Sequence, residues 1–273
     1  MTDQACSPGP SWLEIIVPAR NEQDRLPAGL AALCAKAATL PPGVGVIVVD
    51  SASSDRTAAI AARWPAGPVP VRLVGCDRPG KGAAVRAGLL ASEAPLVGFC
   101  DADMATDLSA LDDAIARLRA GHQVVIGSRA HPASDVLARH SRVRKAGAAV
   151  FRWAARRVMP GVGDTQCGFK FFAGPLARQA AGDLRATGFA FDIELLARCR
   201  QLGAEPVEIP VNWHDVPGST FSIGRHSIAA FAEVAAIRLG LRATSAWAAA
   251  AAERPQAQPS GQPVAGVAAV SEP

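Results

Sequence analysis

From Leu13 to about Arg129, short apolar runs alternate with longer segments whose polar residues recur at helical intervals. Leu13–Ala19, Val46–Val49, Val71–Gly75, Leu96–Cys100 and Val124–Gly127 are rich in Val and Ile and bounded by Gly, Pro or Asp, the pattern of buried strands. Between them Glu22–Thr39, Asp55–Trp64, Lys81–Ser92 and Asp107–Ala120 read as helices, with Ser53 or Ser54 and Thr106 as candidate N-caps. Such alternation predicts an α/β fold with a mostly parallel central sheet and helices on both faces. Ligands of such sheets bind outside the carboxyl ends of the strands.

Beyond Ala130 the pattern loosens. A basic helix over about Ala138–Val158 precedes a Gly-rich break at Pro160–Gly163. An apolar segment Cys167–Ala173, a helix Asp192–Leu202, a strand Val207–Val211 and a helix from about His226 to Ala252 follow. The expected organisation is a flexible N-terminus over 1–12, one domain over 13–252 and a disordered tail over 253–273, where four prolines accompany Gln, Gly, Ala and Ser.

Composition narrows the class. Of 273 residues 49% are hydrophobic and 19% charged, which excludes a disordered chain. The six cysteines form no C-x-x-C pair, so neither a zinc site nor a disulfide scaffold is expected, and a reduced, cytoplasmic setting fits better. Met1–Ser11 lacks the basic start and apolar run of a signal peptide, and no stretch reaches the length of an apolar membrane span. The net charge of +4 does not suggest nucleic-acid binding, but it is unevenly distributed. Arg139–Arg157 holds seven basic residues and no acid, leaving the rest of the chain slightly acidic. Arg142, Lys145, Arg152 and Arg156 share a helical arc of about 80°, while Val143, Val150, Phe151, Ala154 and Val158 occupy another. This amphipathic helix either lies against an anionic surface on the cytoplasmic face of a membrane or is an ordinary helix with a solvated basic face.

Four successive strands end in groups suited to a ligand. Pro18-Ala19-Arg20-Asn21-Glu22 follows the first, Asp50-Ser51-Ala52-Ser53-Ser54-Asp55 the second, and Arg78-Pro79-Gly80-Lys81-Gly82 opens the helix after the third. Asp101-Ala102-Asp103 follows the fourth. Two carboxylates at i and i+2 can reach one hard cation, Mg²⁺ or Mn²⁺, alongside substrate phosphates, although the same pattern also serves turns. Lys81 between two glycines at a helix start suits an anion. Together the clusters point to a nucleotide site.

These motifs, with Gly127-Ser128-Arg129, Asp164-Thr165-Gln166-Cys167-Gly168-Phe169-Lys170, Phe191-Asp192-Ile193-Glu194-Leu195-Leu196 and Val211-Asn212-Trp213, resemble the inverting family 2 glycosyltransferases of GT-A (nucleotide-diphospho-sugar transferase) fold. Within that family the dolichyl-phosphate β-glucosyltransferases and polyprenyl-phosphate glycosyltransferases are most similar. The resemblance spans roughly Leu13 to Phe221. It implies that Pro18, Arg20, Asn21, Glu22 and Asp50 hold the nucleotide with Lys81 nearby, that Asp101 meets the ribose or the metal, and that Asp103 is the principal metal ligand. Ala105 stands where the mannosyl branch carries a Gln that meets the metal, which favours the glucosyl branch; a second departure is the absence of the N-terminal membrane anchor of the eukaryotic glucosyl enzymes.

The implied reaction is metal-dependent, inverting transfer of a hexose, with glucose from UDP-glucose the expected donor, to polyprenyl or dolichyl phosphate. A soluble enzyme acting on a small hydroxyl acceptor, and a non-catalytic nucleotide-sugar or membrane-surface module, are the alternatives. A hydroxyl acceptor needs a general base; Asp192 is the first candidate and Glu194 the second, and two residues apart on a helix they cannot both face the acceptor. Arg129, Arg142, Lys145, Gln166 and Lys170 are candidate contacts for the acceptor or diphosphate. Cys167 reads as packing, and His214 as structural.

Overall fold

The computed structural model describes residues 11–137, 151–188, 190–214 and 233–241. Seven strands form one sheet: β1 (Leu13–Ala19), β2 (Val44–Ser51), β3 (Val71–Cys76), β4 (Leu96–Cys100), β5 (Val124–Ser128), β7 (Phe169–Ala173) and β8 (Pro206–Pro210), in the order β3-β2-β1-β4-β7-β5-β8. A parallel pair, β6 (Asp135–Leu137) and β9 (Asn212–His214), stands apart. The helices are α1 (Leu26–Ala37), α2 (Thr57–Ala62), α3 (Lys81–Ala91), α4 (Ala110–Arg119), α5 (151–156), α6 (Gly174–Gly182), α7 (Phe191–Gln201) and α8 (233–241).

The sheet is mostly parallel, as the strand and helix alternation predicts. β7 is the exception, pairing antiparallel with both β4 and β5. One apolar layer joins Leu26, Leu30 and Leu33 of α1 and Leu111 and Ile115 of α4 to one face. The other joins Val85 and Leu89 of α3, Ala177 of α6, Leu195 and Leu196 of α7 and Val234 and Ile237 of α8 to the opposite face. β1, β2 and β4 can therefore be nearly continuous apolar runs. Phe99, Phe169, Phe171 and Phe172 are fully buried, each burial contributing roughly 1.5–3 kcal/mol.

Strand parity places chemistry as well as packing. Phe169 and Phe171 belong to the α1/α4 layer and Phe172 to the α3/α7 layer, so the intervening Lys170 points at the helices on the second face.

The helix starts differ from expectation for one physical reason. Ser53, Ser54 and Thr106 cap nothing: the N-caps are Arg56 for α2 and Ser109 for α4, neither with a side-chain cap bond. Asp55 Oδ1 instead accepts from the Thr57 N–H at 2.9 Å, and Asp107 Oδ1 from the Ser109 N–H at 2.7 Å. These short acidic side chains satisfy backbone donors in turns, and the helices begin later. α6 lies between Ala173 and Asp192, where the sequence pattern predicts no element; its proline sits in the first turn, where no N–H is needed.

The basic helix is described only from residue 151 onward. Ala155 is buried, and Phe151, Ala154 and Val158 pack on the α3/α7 layer, while Arg152, Trp153, Arg156 and Arg157 face outward. Arg142 and Lys145 lie outside the described residues. Among the described residues no helix is long and apolar enough to cross a membrane.

Candidate active site

β1 and β2 are in register to their ends, Ala19 opposite Asp50, and β4 flanks β1. Their C-terminal loops therefore share one edge. Pro18 is the penultimate residue of β1, and Arg20 is exposed just beyond it. Asn21, with φ 55°, ties the first two loops together: its N–H donates to Ser53 Oγ at 3.0 Å, and its Oδ1 accepts from the Ser54 N–H at 2.9 Å. Glu22 is clamped by Arg25 through bonds of 2.7 and 2.6 Å. Burial nevertheless lifts the Glu22 carboxyl above its usual range, with the nearby Asp103 and Asp101 charges adding to the rise. At the end of β2, Asp50 Oδ2 accepts weakly from the Ser53 N–H at 3.3 Å, and its Oδ1 is buried with no hydrogen-bond partner. A buried, unsatisfied acceptor at a loop edge is the kind of group a ligand satisfies.

Lys81 opens α3 after Gly80, whose φ of 131° suits glycine alone. Ser51 Oγ accepts from the Gly80 N–H and donates to the Arg78 carbonyl, both at 3.1 Å, fixing the turn from one side. Lys81 Nζ meets Asp101 Oδ1 at 2.5 Å and lies over the Phe191 ring at 5.9 Å. Burial alone would lower the Lys81 pKa, but the Asp101 and Asp192 carboxylates override it and hold the ammonium charged.

Asp101 and Asp103 sit in the turn after β4. The Asp101 carboxylate lies against the Cα of Gly168, and its N–H donates to the Gly168 carbonyl at 3.1 Å. Asp103 Oδ1 accepts from the Ala105 N–H at 3.2 Å, and its Oδ2 is 3.9 Å from Arg25. Burial first, and the Asp101 charge second, push the Asp103 carboxyl upward. Among the described residues no three His, Cys, Asp or Glu side chains cluster as a closed metal site. A hard divalent ion that keeps substrate phosphates among its ligands needs only one or two carboxylates, so Asp101 and Asp103 fit Mg²⁺ or Mn²⁺.

The second half of the site comes from the loop before β7. Arg129 forms a bidentate pair with Asp164, at 2.7 and 3.0 Å, and lies over the Trp213 ring at 5.6 Å. Burial would lift the Asp164 carboxyl, but the Arg129 hydrogen bonds and charge pull it down to about 2. Arg129 is thus already engaged, with Asp164 the partner that reading the sequence did not assign. The Gln166 N–H donates to Asp164, while its Nε2 is a buried donor with no hydrogen-bond partner. Cys167 is fully buried and packs beside Gly127, and burial pushes its thiol up. His214 donates its N–H to the Ala105 carbonyl at 2.9 Å and is exposed.

Lys170 is not the surface cation its type suggests. It is fully buried, donating to Asp192 Oδ1 at 2.6 Å and to the Cys167 carbonyl at 2.5 Å. Asp192 is only 2% exposed; burial pushes its carboxyl up, opposed by Lys170 and Lys81. Glu194 points elsewhere. Its Oε2 accepts from the Arg185 and Ala186 N–H groups at 3.0 and 2.7 Å, and its Oε1 meets Arg198 at 2.5 Å. The structure thus joins Lys81, Asp101, Lys170 and Asp192 in one charge cluster and leaves Glu194 in another.

Residues 14–172 match the family model described as glycosyl transferase family 2. The dolichyl-phosphate beta-glucosyltransferase of Drosophila melanogaster is 36% identical over 226 residues, covering 76% of this chain and 68% of that protein. Its counterpart in Dictyostelium discoideum is 31% identical over 242 residues, covering 83% and 74%. Among solved structures, glucosyl-3-phosphoglycerate synthase from Mycobacterium tuberculosis, in complex with Mn²⁺, UDP and glucosyl-3-phosphoglycerate, superposes with a TM-score of 0.58 at 22% identity, covering 85% of this chain and 80% of that one. The sheet order and this likeness bear out the GT-A α/β fold. The chain belongs to glycosyl transferase family 2, and it is a glycosyltransferase.

Proposed function

We propose that the chain transfers glucose from UDP-glucose to a polyprenyl or dolichyl phosphate, with inversion and with Mg²⁺ or Mn²⁺ held by Asp101 and Asp103. The names of the relatives supply the sugar and the acceptor class, and the UDP and Mn²⁺ bound by the structural neighbour supply the donor nucleotide and the ion. The unsatisfied Asp50 Oδ1 and the Asn21–Ser53–Ser54 tie support nucleotide binding at the β1 and β2 ends. When bound, the divalent ion supplies charge neutralisation on the departing diphosphate. Lys81 adds a positive charge at the same edge. The acceptor oxygen bonds to the anomeric carbon from the face opposite the bond to the diphosphate, which breaks.

One observation favours a phosphate acceptor over a hydroxyl. Asp192, the candidate base, is only 2% exposed and its Oδ1 already accepts from Lys170, so that oxygen is committed to the ion pair rather than open to an acceptor hydroxyl. A phosphate monoester with a second pKa near 6 is largely ionised at neutral pH and needs no base. A lipid acceptor also suits the outer surface of α5 and α8. Trp153 and Leu239 are 60% and 68% exposed there, with Arg152, Arg156, Arg157 and Arg238 facing solvent beside them. Exposed aromatic and aliphatic side chains among arginines match the interface of an anionic bilayer, peripheral on the cytoplasmic face.

The test is a donor panel read by nucleotide release, with polyprenyl phosphate as acceptor and Mg²⁺ present. Chloroform-soluble label from UDP-glucose is expected. No lipid product from any common nucleotide sugar would overturn the reading. Product from a small hydroxyl acceptor, with no flotation on anionic liposomes, would establish the soluble alternative.

A further inference from the structure

Glu194 sits in the helix that carries Asp192, but it acts on the opposite wall of the donor site. Its Oε2 accepts the N–H groups of Arg185 and Ala186, and Arg198 closes on Oε1. Glu194 is 3% exposed, so the loop is tied to a buried anchor. The next residue carries the contact onward: the Thr187 carbonyl accepts the Gly82 N–H at 2.9 Å and lies against the Cα of Gly80. A Cβ on Gly82 would come within 2.6 Å of the Ala186 carbonyl and 2.5 Å of Phe191 Cβ. The loop and the Gly80-Lys81-Gly82 turn are therefore in backbone contact. The turn is held between Ser51 on one side and Thr187 on the other, with Lys81 projecting to Asp101.

We propose that Glu194 is a positioning residue for the donor diphosphate. By fixing the 185–187 loop it sets the Thr187 carbonyl, which seats the Gly80-Lys81-Gly82 turn and so sets where the Lys81 ammonium meets the phosphates. The inference rests on the donor-site reading above and separates Glu194 from any direct part in proton transfer. A carboxylate that receives two backbone N–H groups and a guanidinium has its oxygens committed to the loop. Displacing Lys81 weakens its charge contact with the phosphates, since the Coulomb energy falls with distance.

The experiment compares UDP with uridine on the full chain in the presence of Mn²⁺. UDP is followed by titration calorimetry and uridine by ligand-observed NMR. Glu194→Gln is expected to weaken UDP about tenfold, in the range typical of residues that orient a first contact, and to leave uridine unchanged. Uridine lacks the phosphates that Lys81 meets. In a Lys81→Met background the same substitution should add little further loss. The KM for the nucleotide sugar should rise with the KM for the acceptor unaltered. If Glu194→Gln folds poorly by thermal melt, Glu194→Asp, which keeps the charge for Arg198 but withdraws from the loop, should show the same split. Equal weakening of UDP and uridine, additive losses with Lys81→Met, or a fall in kcat at unchanged UDP affinity would each overturn the proposal. Failure of the unsubstituted protein to bind UDP would overturn the donor-site reading itself, and this inference with it.

Discussion

The Asp101 carboxylate occupies the space where a side chain on Gly168 would begin. The two residues are 67 positions apart, yet the Asp101 N–H donates to the Gly168 carbonyl, and Cys100 pairs with Phe169 across the antiparallel β4–β7 ladder. The Asp101 carboxylate is thus seated by the loop that precedes β7. Gly168→Ala should displace Asp101 and lower turnover about a hundredfold, a loss typical of misplacing a reacting group by 1 Å, while the melting temperature changes little. Steady-state rates and a thermal melt check this together.

Asp103→Ala should remove metal-dependent UDP binding and turnover at once, since Asp103 is the proposed principal ligand. Chelation of the unsubstituted protein should reproduce the loss, and restored Mn²⁺ should reverse it. Calorimetry with and without Mn²⁺ decides the matter: tight UDP binding indifferent to both the ion and the substitution would sink the metal assignment.

The Lys170–Asp192 pair is buried at both ends, with side chains 0% and 3% exposed. Removing one member leaves a charge without its partner, at a cost of about 3–5 kcal/mol, whereas neutralising both costs far less. Lys170→Met should therefore unfold at much lower urea than the unsubstituted protein, and Lys170→Met/Asp192→Asn should recover most of the difference. Activity should not recover, because Asp192 faces the same cluster as Lys81.

Acid stability should depend on Asp164. Its carboxyl is held at about 2 against an ordinary 3.8, so its contribution is complete above the unfolded value and is lost as pH falls through the folded one. The shift is worth at most roughly 2 kcal/mol. Urea midpoints at about pH 6 and about pH 2.5 should differ less in Asp164→Asn than in the unsubstituted chain, where this pair adds to the decline.

Much of the proposed donor half is legible along the chain. β1 and β4 match the expected Leu13–Ala19 and Leu96–Cys100 because both are unbroken apolar runs closed by polar loops. The loops that follow converge because parallel strands share one end. The second half resists reading for equally physical reasons. Nothing in Phe169-Lys170-Phe171-Phe172-Ala173 encodes that the strand runs backwards, because alternation has no direction. A lysine in a phenylalanine-rich strand does signal a buried partner, but Asp192 lies 22 residues away and only the packing of α7 on β7 brings it there. Asp192 and Glu194 look equivalent in the motif; the helix turns one toward Lys170 and the other toward the 185–187 loop. The roles of Ser51 and Thr187 at the glycine turn leave no mark in the sequence, because each partner of the turn is brought to it only by the fold.

The reversed direction of β7 divides the labour of the fold. On the proposed function, residues up to Asp103 hold the nucleotide sugar and later segments receive its acceptor. Because β7 runs against its neighbours, its entrance abuts the exit of β4, and Gly168 comes to rest against Asp101. A parallel β7 would have carried Gly168 to the opposite edge of the sheet, away from Asp101.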